Sequence, residues 1–262
     1  PIVFDSLKMI NEKKVEYWSA RALAKELGYS EYRHFIPVIK RAEESCQNSG
    51  QSIKNHFEDN LEMVKLGSTA SRSVSDIHLS RYACYLVMQN ADPSKEVVAL
   101  GQTYFAMQTR RQELQDQLIE DQKRVYLREE VSIHNKHLAQ TASKAGVKNY
   151  AVFTNYGYKG LYGGLDAQQI KAEKKLETKQ NLLDHMGSEE LAANLFRATQ
   201  TDAKIRREQI RGEAKSNQTH FEVGRKVRQT IKEIGGTMPE KLPIAEKITV
   251  TQKRLKKNTT QH

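Results

Sequence analysis

The stretch Tyr17–Cys46, YWSARALAKELGYSEYRHFIPVIKRAEESC, constrains the fold more than any other part of the chain. Ser19 can cap a helix whose apolar positions are Ala20, Leu23, Ala24 and Leu27. Gly28 supplies the left-handed residue that ends it, and Ser30 can start the next element. Two helices joined so tightly give a helix-turn-helix layout, and in a basic chain DNA is the first ligand to consider. Phe35, Ile39, Ala42 and Cys46 recur at helical spacing, so the second helix has a face to bury. Two features count against its reading a DNA groove. Arg33, Lys40 and Arg41 are offset by Glu31, Glu43 and Glu44, and Pro37 stands where a continuous helix needs a backbone donor. The pair reads as a packed platform whose second helix breaks or restarts at Pro37.

At 262 residues the chain has room for two domains of ordinary size. No apolar run approaches the roughly 18 residues of a membrane span, and the start, PIVFDSLKMI, lacks the features of a secretory signal. Cys46 and Cys84 have no metal-ligand neighbours and read as buried thiols of a reducing cytosol. A cytoplasmic protein without a membrane partner is expected.

Residues 1–18 read as a short strand or hairpin (Ile2, Phe4, then Val15, Tyr17). Residues 61–66 and 73–77 can pair across the loop GSTASR, as a β-wing beside the helices or as an ordinary surface hairpin. Leu79, Tyr82, Ala83, Leu86 and Val87 mark a helix ending near Asn90, and Asp92-Pro93 reads as a cap with proline at the first helical position. From there a pattern through Val97, Leu100, Tyr104 and Met107 continues into charged residues 110–130, as a broken or a projecting helix. Self-association is one use for such a helix, although Leu114 and Leu118 give too thin a seam for a sustained coiled coil. Residues 150–165, with four glycines among five aromatics, read as a loop. Helices resume after Asp166 and after Ser188, and Thr219–Glu222 fits a capping box ahead of Val223, Val227 and Ile231. Gly235, Gly236 and Pro239 stop that helix, and residues 246–262 read as a basic, disordered tail. The fold class is α+β and predominantly helical. A helix-turn-helix-like N-terminal domain with a small β element (1–115) precedes a helical C-terminal domain (116–245).

The net charge of +10 is concentrated at one end: from Ala203 onward there are 15 Lys/Arg against 6 Glu, and before it 27 against 26 acidic residues. A polyanion should meet that end first. Lys204, Arg207 and Arg211 share one helical face, and Arg225, Arg228 and Lys232 another, about 160° from the Val223–Val227–Ile231 stripe. These stripes can contact several phosphates, or they can be solvated faces balanced by Glu208, Glu213, Glu222 and Glu233. Tyr156, Tyr158 and Tyr162 can stack on unpaired bases or tether a loop to the core. The glycines match neither a dinucleotide fingerprint nor a P-loop, so no cofactor is expected. His134, His137 and Glu130 lack a further ligand, so no metal site is expected, and no catalytic constellation is evident.

Residues 17–46, together with DIHLSRYACYLVMQNADPSKEVVALGQTYFAMQTRRQEL, resemble the BRO-N-type domain of viral and bacterial proteins. GYKGLYGGL, LLDHMGSEELAANLFRATQTDAKIR and THFEVGRKVRQTIKEIGGTMPEKLP resemble the C-terminal half of the DNA-damage-inducible protein D family. The resemblance spans roughly residues 1–245. It implies a cytoplasmic bacterial SOS-response protein that modulates RecA-type recombinase filaments on single-stranded DNA as an inhibitor, without catalytic residues. Its partners would be the recombinase filament and single-stranded DNA, with a homodimer as a further assembly. Arg197 in LFRATQT and Arg225 and Arg228 in VGRKVRQTI are where the family-like motif and the charge argument coincide. The alternatives are a sequence-specific repressor reading duplex DNA through Arg33, Lys40 and Arg41, and a metal-dependent nuclease.

Overall fold

In a computed structural model, which describes residues 3–66 and 70–259, the chain divides into two units, Pro1–Gln112 and Glu113–His262. The first opens with α1 (Val3–Ser6), the hairpin β1 (Met9–Ile10) and β2 (Glu16–Ser19), then α2 (Ala20–Glu26) and α3 (Tyr32–Asn48). A longer hairpin, β3 (Phe57–Leu66) and β4 (Ala70–Leu79), leads into α4 (Arg81–Asn90). The strands form one antiparallel sheet in the order β1-β2-β4-β3, with Trp18 and Phe57 both in register with Leu79.

Ser19 joins sheet to helix. Its hydroxyl accepts the Ala22 amide as the α2 cap and donates to Asp76 Oδ2 at 2.5 Å, while Asp76 Oδ1 accepts the Arg21 amide. Gly28, at φ +76°, ends α2. Trp18, Leu23, Leu27, Phe35, Ile39, Leu79 and Val87 form the core under this platform, with both thiols buried and unpaired. Pro37 does not break α3. The helix starts at Tyr32, so the proline removes only the bond to the Arg33 carbonyl, and the buried face of Phe35, Val38, Ile39, Ala42 and Cys46 holds the helix together.

Other boundaries differ from expectation. Phe4 lies in α1 rather than in a strand, and Ile2 falls outside the described residues. The β3–β4 ladder runs ten residues on each strand, and residues 67–69 of the expected loop are outside the description. Asp92 caps a turn, accepting the Ser94 amide, and α5 begins only at Glu96. α5 (Glu96–Lys144) is one unbroken 49-residue helix, and the division between units falls within it.

The second unit contains α6 (Tyr150–Leu161), α7 (Ala167–Glu173), α8 (Ser188–Arg207), α9 (Glu213–Glu233) and α10 (Ile248–Thr259). The expected loop at 150–165 is mostly α6. Asn149 caps it through the Val152 amide, and its glycines divide into two roles. Gly163 and Gly164 take positive φ and end the helix, whereas Gly157 and Gly160 let α9 approach closely. A Cβ on Gly160 would stand 2.2 Å from the Phe221 carbonyl oxygen, and one on Gly224 of α9 would stand 2.7 Å from the Gly157 oxygen. Gly157 instead makes room for the Arg197 and His220 side chains.

A buried polar chain runs through this crossing. Tyr162 Oη donates to Glu190 Oε1 at 2.7 Å and accepts from Asn194 Nδ2 at 2.9 Å, and Lys174 Nζ pairs with Glu190 Oε2 at 3.0 Å. Arg197 Nη2 donates to Asn194 Oδ1 at 3.2 Å, Nη1 meets His220 Nε2, and the guanidinium lies over the Tyr158 ring. His220 Nδ1 faces the Phe153 carbonyl oxygen at 2.9 Å. That carbonyl fixes the proton on Nδ1, so Nε2 accepts from Arg197. Burial, with the Arg197 charge beside it, holds His220 well below the usual imidazole range. Burial raises the Glu190 carboxyl.

Burial and helix position bear on three expectations. Arg197 is 1% exposed, so it braces α8 against α9 and cannot touch a strand of DNA. Tyr158 and Tyr162 are buried core residues, with no face open for base stacking. The expected cap at Thr219 lies mid-helix, its hydroxyl donating to the Lys215 carbonyl, because α9 starts at Glu213 behind Gly212 at φ +91°. The expected disordered tail is also helical in large part. Arg254 of α10 pairs with Asp121 on α5, Nε to Oδ2 at 2.5 Å, and Arg124 of α5 donates to Thr251 Oγ1 at 2.7 Å and to the Asp184, Met186 and Glu246 carbonyls.

Gly160→Ala should gain about 1 kcal/mol of helix propensity, yet it is expected to destabilise by about 1–3 kcal/mol through overpacking. Thermal unfolding checks this, and a raised Tm would contradict the close crossing. His220 gives a second test. Its folded pKa lies below the unfolded value of 6.5, so the unfolded chain takes up a proton that the folded chain refuses. Stability should therefore fall by up to about 1.4 kcal/mol per pH unit as pH drops below about 6.5. Glu190 acts with the opposite sign, because a raised carboxyl adds stability that is lost as pH rises through its folded pKa. Comparing the unaltered chain with His220→Asn at about pH 7.5 and about pH 5.5 cancels the Glu190 contribution. The variant should be less stable at the higher pH and lose less on acidification; an equal loss would contradict a neutral, buried His220.

Candidate functional site

Burial along α8 divides its residues into two sets. Leu191, Asn194, Arg197, Ala198, Thr201 and Ile205 face inward. Glu189, Ala193, Phe196, Gln200, Lys204 and Arg207, at spacings of three and four, line a surface trough against α9. The trough comprises two recesses that share Phe196, Val227 and Thr230. One, of about 320 Å³, carries Lys204, Arg207 and Lys226 together with Glu222. The other, of about 300 Å³, is lined mainly by Ala193, Val227, Ile231, Ile234, Pro239 and Leu242. Phe196 stands between them at 55% exposure, and Ile234 at the apolar end is 77% exposed.

The basic residues expected to bind nucleic acid fall into three groups. Arg228 is a brace: it donates to the Leu161 carbonyl and forms a two-armed pair with Glu240, both arms at 2.7 Å. That pairing raises the Arg228 guanidinium and lowers the Glu240 carboxyl. Arg211 donates to the Lys144 carbonyl at the end of α5. Lys204 pairs with Glu208 at 2.7 Å, and Arg207 lies 3.4 Å from the same carboxylate, which Lys204 holds below its usual range. Arg225 and Lys232 are exposed on α9 without an ion-pair partner among the described residues. Tyr156, at 37% exposure, is the one member of the expected stacking trio that reaches the surface.

Sequence spacing alone does not single out Phe196, Lys226 or Ile234. Their signal is in the sequence only once α8 and α9 are set in phase, because a lone exposed phenylalanine reads as core by composition. In the first unit the cations of α3 are partly engaged, Arg33 with Glu31 at 2.7 Å and Arg41 on the Asn90 carbonyl. His134 lies 3.6 Å from Glu130, and no group of three or more His, Cys, Asp or Glu among the described residues is placed to hold a metal ion. No helix among them is long and apolar enough to cross a membrane.

Two family matches cover most of the chain. Residues 6–106 match the BRO family, N-terminal domain, and residues 118–253 match the DinD C-terminal domain. The second match contains α6, α7, α8 and α9, hence the whole trough, and extends into α10. The chain is also 60% identical over 248 residues to DNA damage-inducible protein D of Escherichia coli strain K12, covering 92% of this chain and 90% of that relative. With both domains present in order and that identity over nearly its full length, the chain belongs to the DinD family.

Proposed function

We propose that the chain acts in the response to DNA damage as a non-catalytic regulator that binds RecA-type recombinase filaments on single-stranded DNA and inhibits them. The observation that carries this reading is the 60% identity to DNA damage-inducible protein D over 92% of the chain. The basic C-terminal quarter supports it: Arg225 and Lys232, seven residues apart on α9, lie on one face in solvent. Cations so placed meet phosphates or carboxylates of a filament without giving up an internal partner. Arg228 and Arg197 contribute indirectly, by holding α9 in place.

Arg225→Glu with Lys232→Glu leaves the braces intact, so its Tm should match that of the unaltered chain. Binding to recombinase-coated single strand, bare single strand and duplex is measured at two salt concentrations. The double variant should lose at least about tenfold affinity for the coated strand, with a flatter salt dependence if phosphates are the contact. Unchanged binding would remove this face from the site. A duplex footprint lost on changing Lys40 would favour the repressor instead, and turnover of labelled DNA with Mg²⁺ or Mn²⁺ would contradict a non-catalytic role.

A further inference from the structure

We propose that the trough between α8 and α9 is a docking site for a peptide segment combining acidic residues with bulky apolar side chains. This goes beyond the filament reading and does not depend on it, since Arg225 and Lys232 do not line the trough.

The α8 face from Glu189 to Arg207 extends roughly 27 Å at 1.5 Å per residue, enough for several turns of helix or a short extended strand. The two recesses are continuous through Phe196, Val227 and Thr230. Phe196 at 55% exposure and Ile234 at 77% are large apolar side chains in solvent, within a concave lining rather than scattered. Such a patch rimmed by charge marks an interaction surface.

Charge then selects the occupant. The end beyond Phe196 carries Lys204, Arg207 and Lys226. Two carboxylates oppose them, Glu208 on Lys204 and Arg207, and Glu222, which accepts from Gln218. Lys226 has no ion-pair partner among the described residues, so one cation is in excess there. At the other end Glu189 is the one charged lining residue. A ligand therefore needs apolar anchors along most of its length and carboxylates at one end.

Single-stranded nucleic acid fits less well. Binding of that kind sets successive bases on aromatic rings along a cationic track. Here Phe196 is the sole aromatic side chain in the lining, and the far recess offers Ile231, Ile234 and Leu242 with no cation. A phosphate backbone laid along it would lose water and gain no partner. A peptide laid into the trough in the helix-in-groove manner would place its apolar side chains in that recess.

The test is selection of a phage-displayed library of random peptides, about eighteen residues long to match the trough as a helix, on the immobilised full chain. The expected outcome is enrichment of sequences joining Asp or Glu to Phe, Leu, Ile or Trp. A labelled peptide of that type should bind at least about tenfold more weakly to Phe196→Asp and measurably more weakly to Lys226→Glu, the latter difference shrinking in high salt. Both positions are exposed, and unchanged Tm values confirm that the variants fold. No enrichment, enrichment of basic sequences, or undiminished binding to Phe196→Asp would each overturn the proposal. So would a thymidine oligonucleotide that displaces the peptide and loses its own binding in Phe196→Asp, since the occupant would then be nucleic acid. Loss of filament binding in Arg225→Glu/Lys232→Glu with peptide binding retained would separate the two sites and support this one.

Discussion

The C-terminal unit depends on α6 and α9 crossing at backbone contact distance. Gly157, Gly160 and Gly224 make this approach possible, since a Cβ at Gly160 or Gly224 would stand within 3 Å of main-chain atoms of the other helix. With the helices so close, His220 reaches the Phe153 carbonyl and Arg197 reaches His220 from α8. Three helices are thus fixed in phase by one contact and the polar chain through it. The outward faces of α8 and α9, hence the trough, inherit their alignment from that inward geometry.

The same geometry sorts the arginines. Arg197 is buried with no carboxylate partner among the described residues, held by Asn194, His220 and the Tyr158 ring. A buried cation in this state costs stability, and desolvation pulls its guanidinium down. What it provides is a fixed orientation of α8 relative to α6 and α9. Arg228 and Arg124 work similarly at less buried positions, each donating to main-chain carbonyls that helices and turns leave open. Charge that looks available for a partner in the sequence is partly committed to the scaffold. Arg225, Lys226 and Lys232 remain exposed, without an ion-pair partner among the described residues.

The N-terminal platform was largely legible: Ser19 as cap, Gly28 as stop and the buried stripe of α3 all follow local rules that tertiary contacts did not override. Pro37 reads as a breaker only while the start of α3 is unknown, because that start decides how many bonds a proline removes. The glycines of 150–165 mislead for a deeper reason. Glycine marks both a loop and a close helix crossing, and Gly224, the residue that distinguishes the two, lies 64 positions beyond Gly160. The tail misleads likewise, because α10 is held by Asp121 and Arg124, more than a hundred residues earlier. Charge spacing placed cations on α8 and α9 but could not tell which of them face inward. The trough combines one face from each of two helices, and neither face is distinctive alone.

On the proposed reading, the outward face of α9, held by the glycine crossing, meets the partner of this DinD-family chain. Lysine acetylation of the full chain, read by mass spectrometry with and without recombinase-coated single-stranded DNA, tests it most directly. Lys232 should be protected in the complex while Lys40 on α3 reacts as in the free chain. Protection of Lys40 with Lys232 unchanged would contradict it and move the contact to the helix pair of the N-terminal unit.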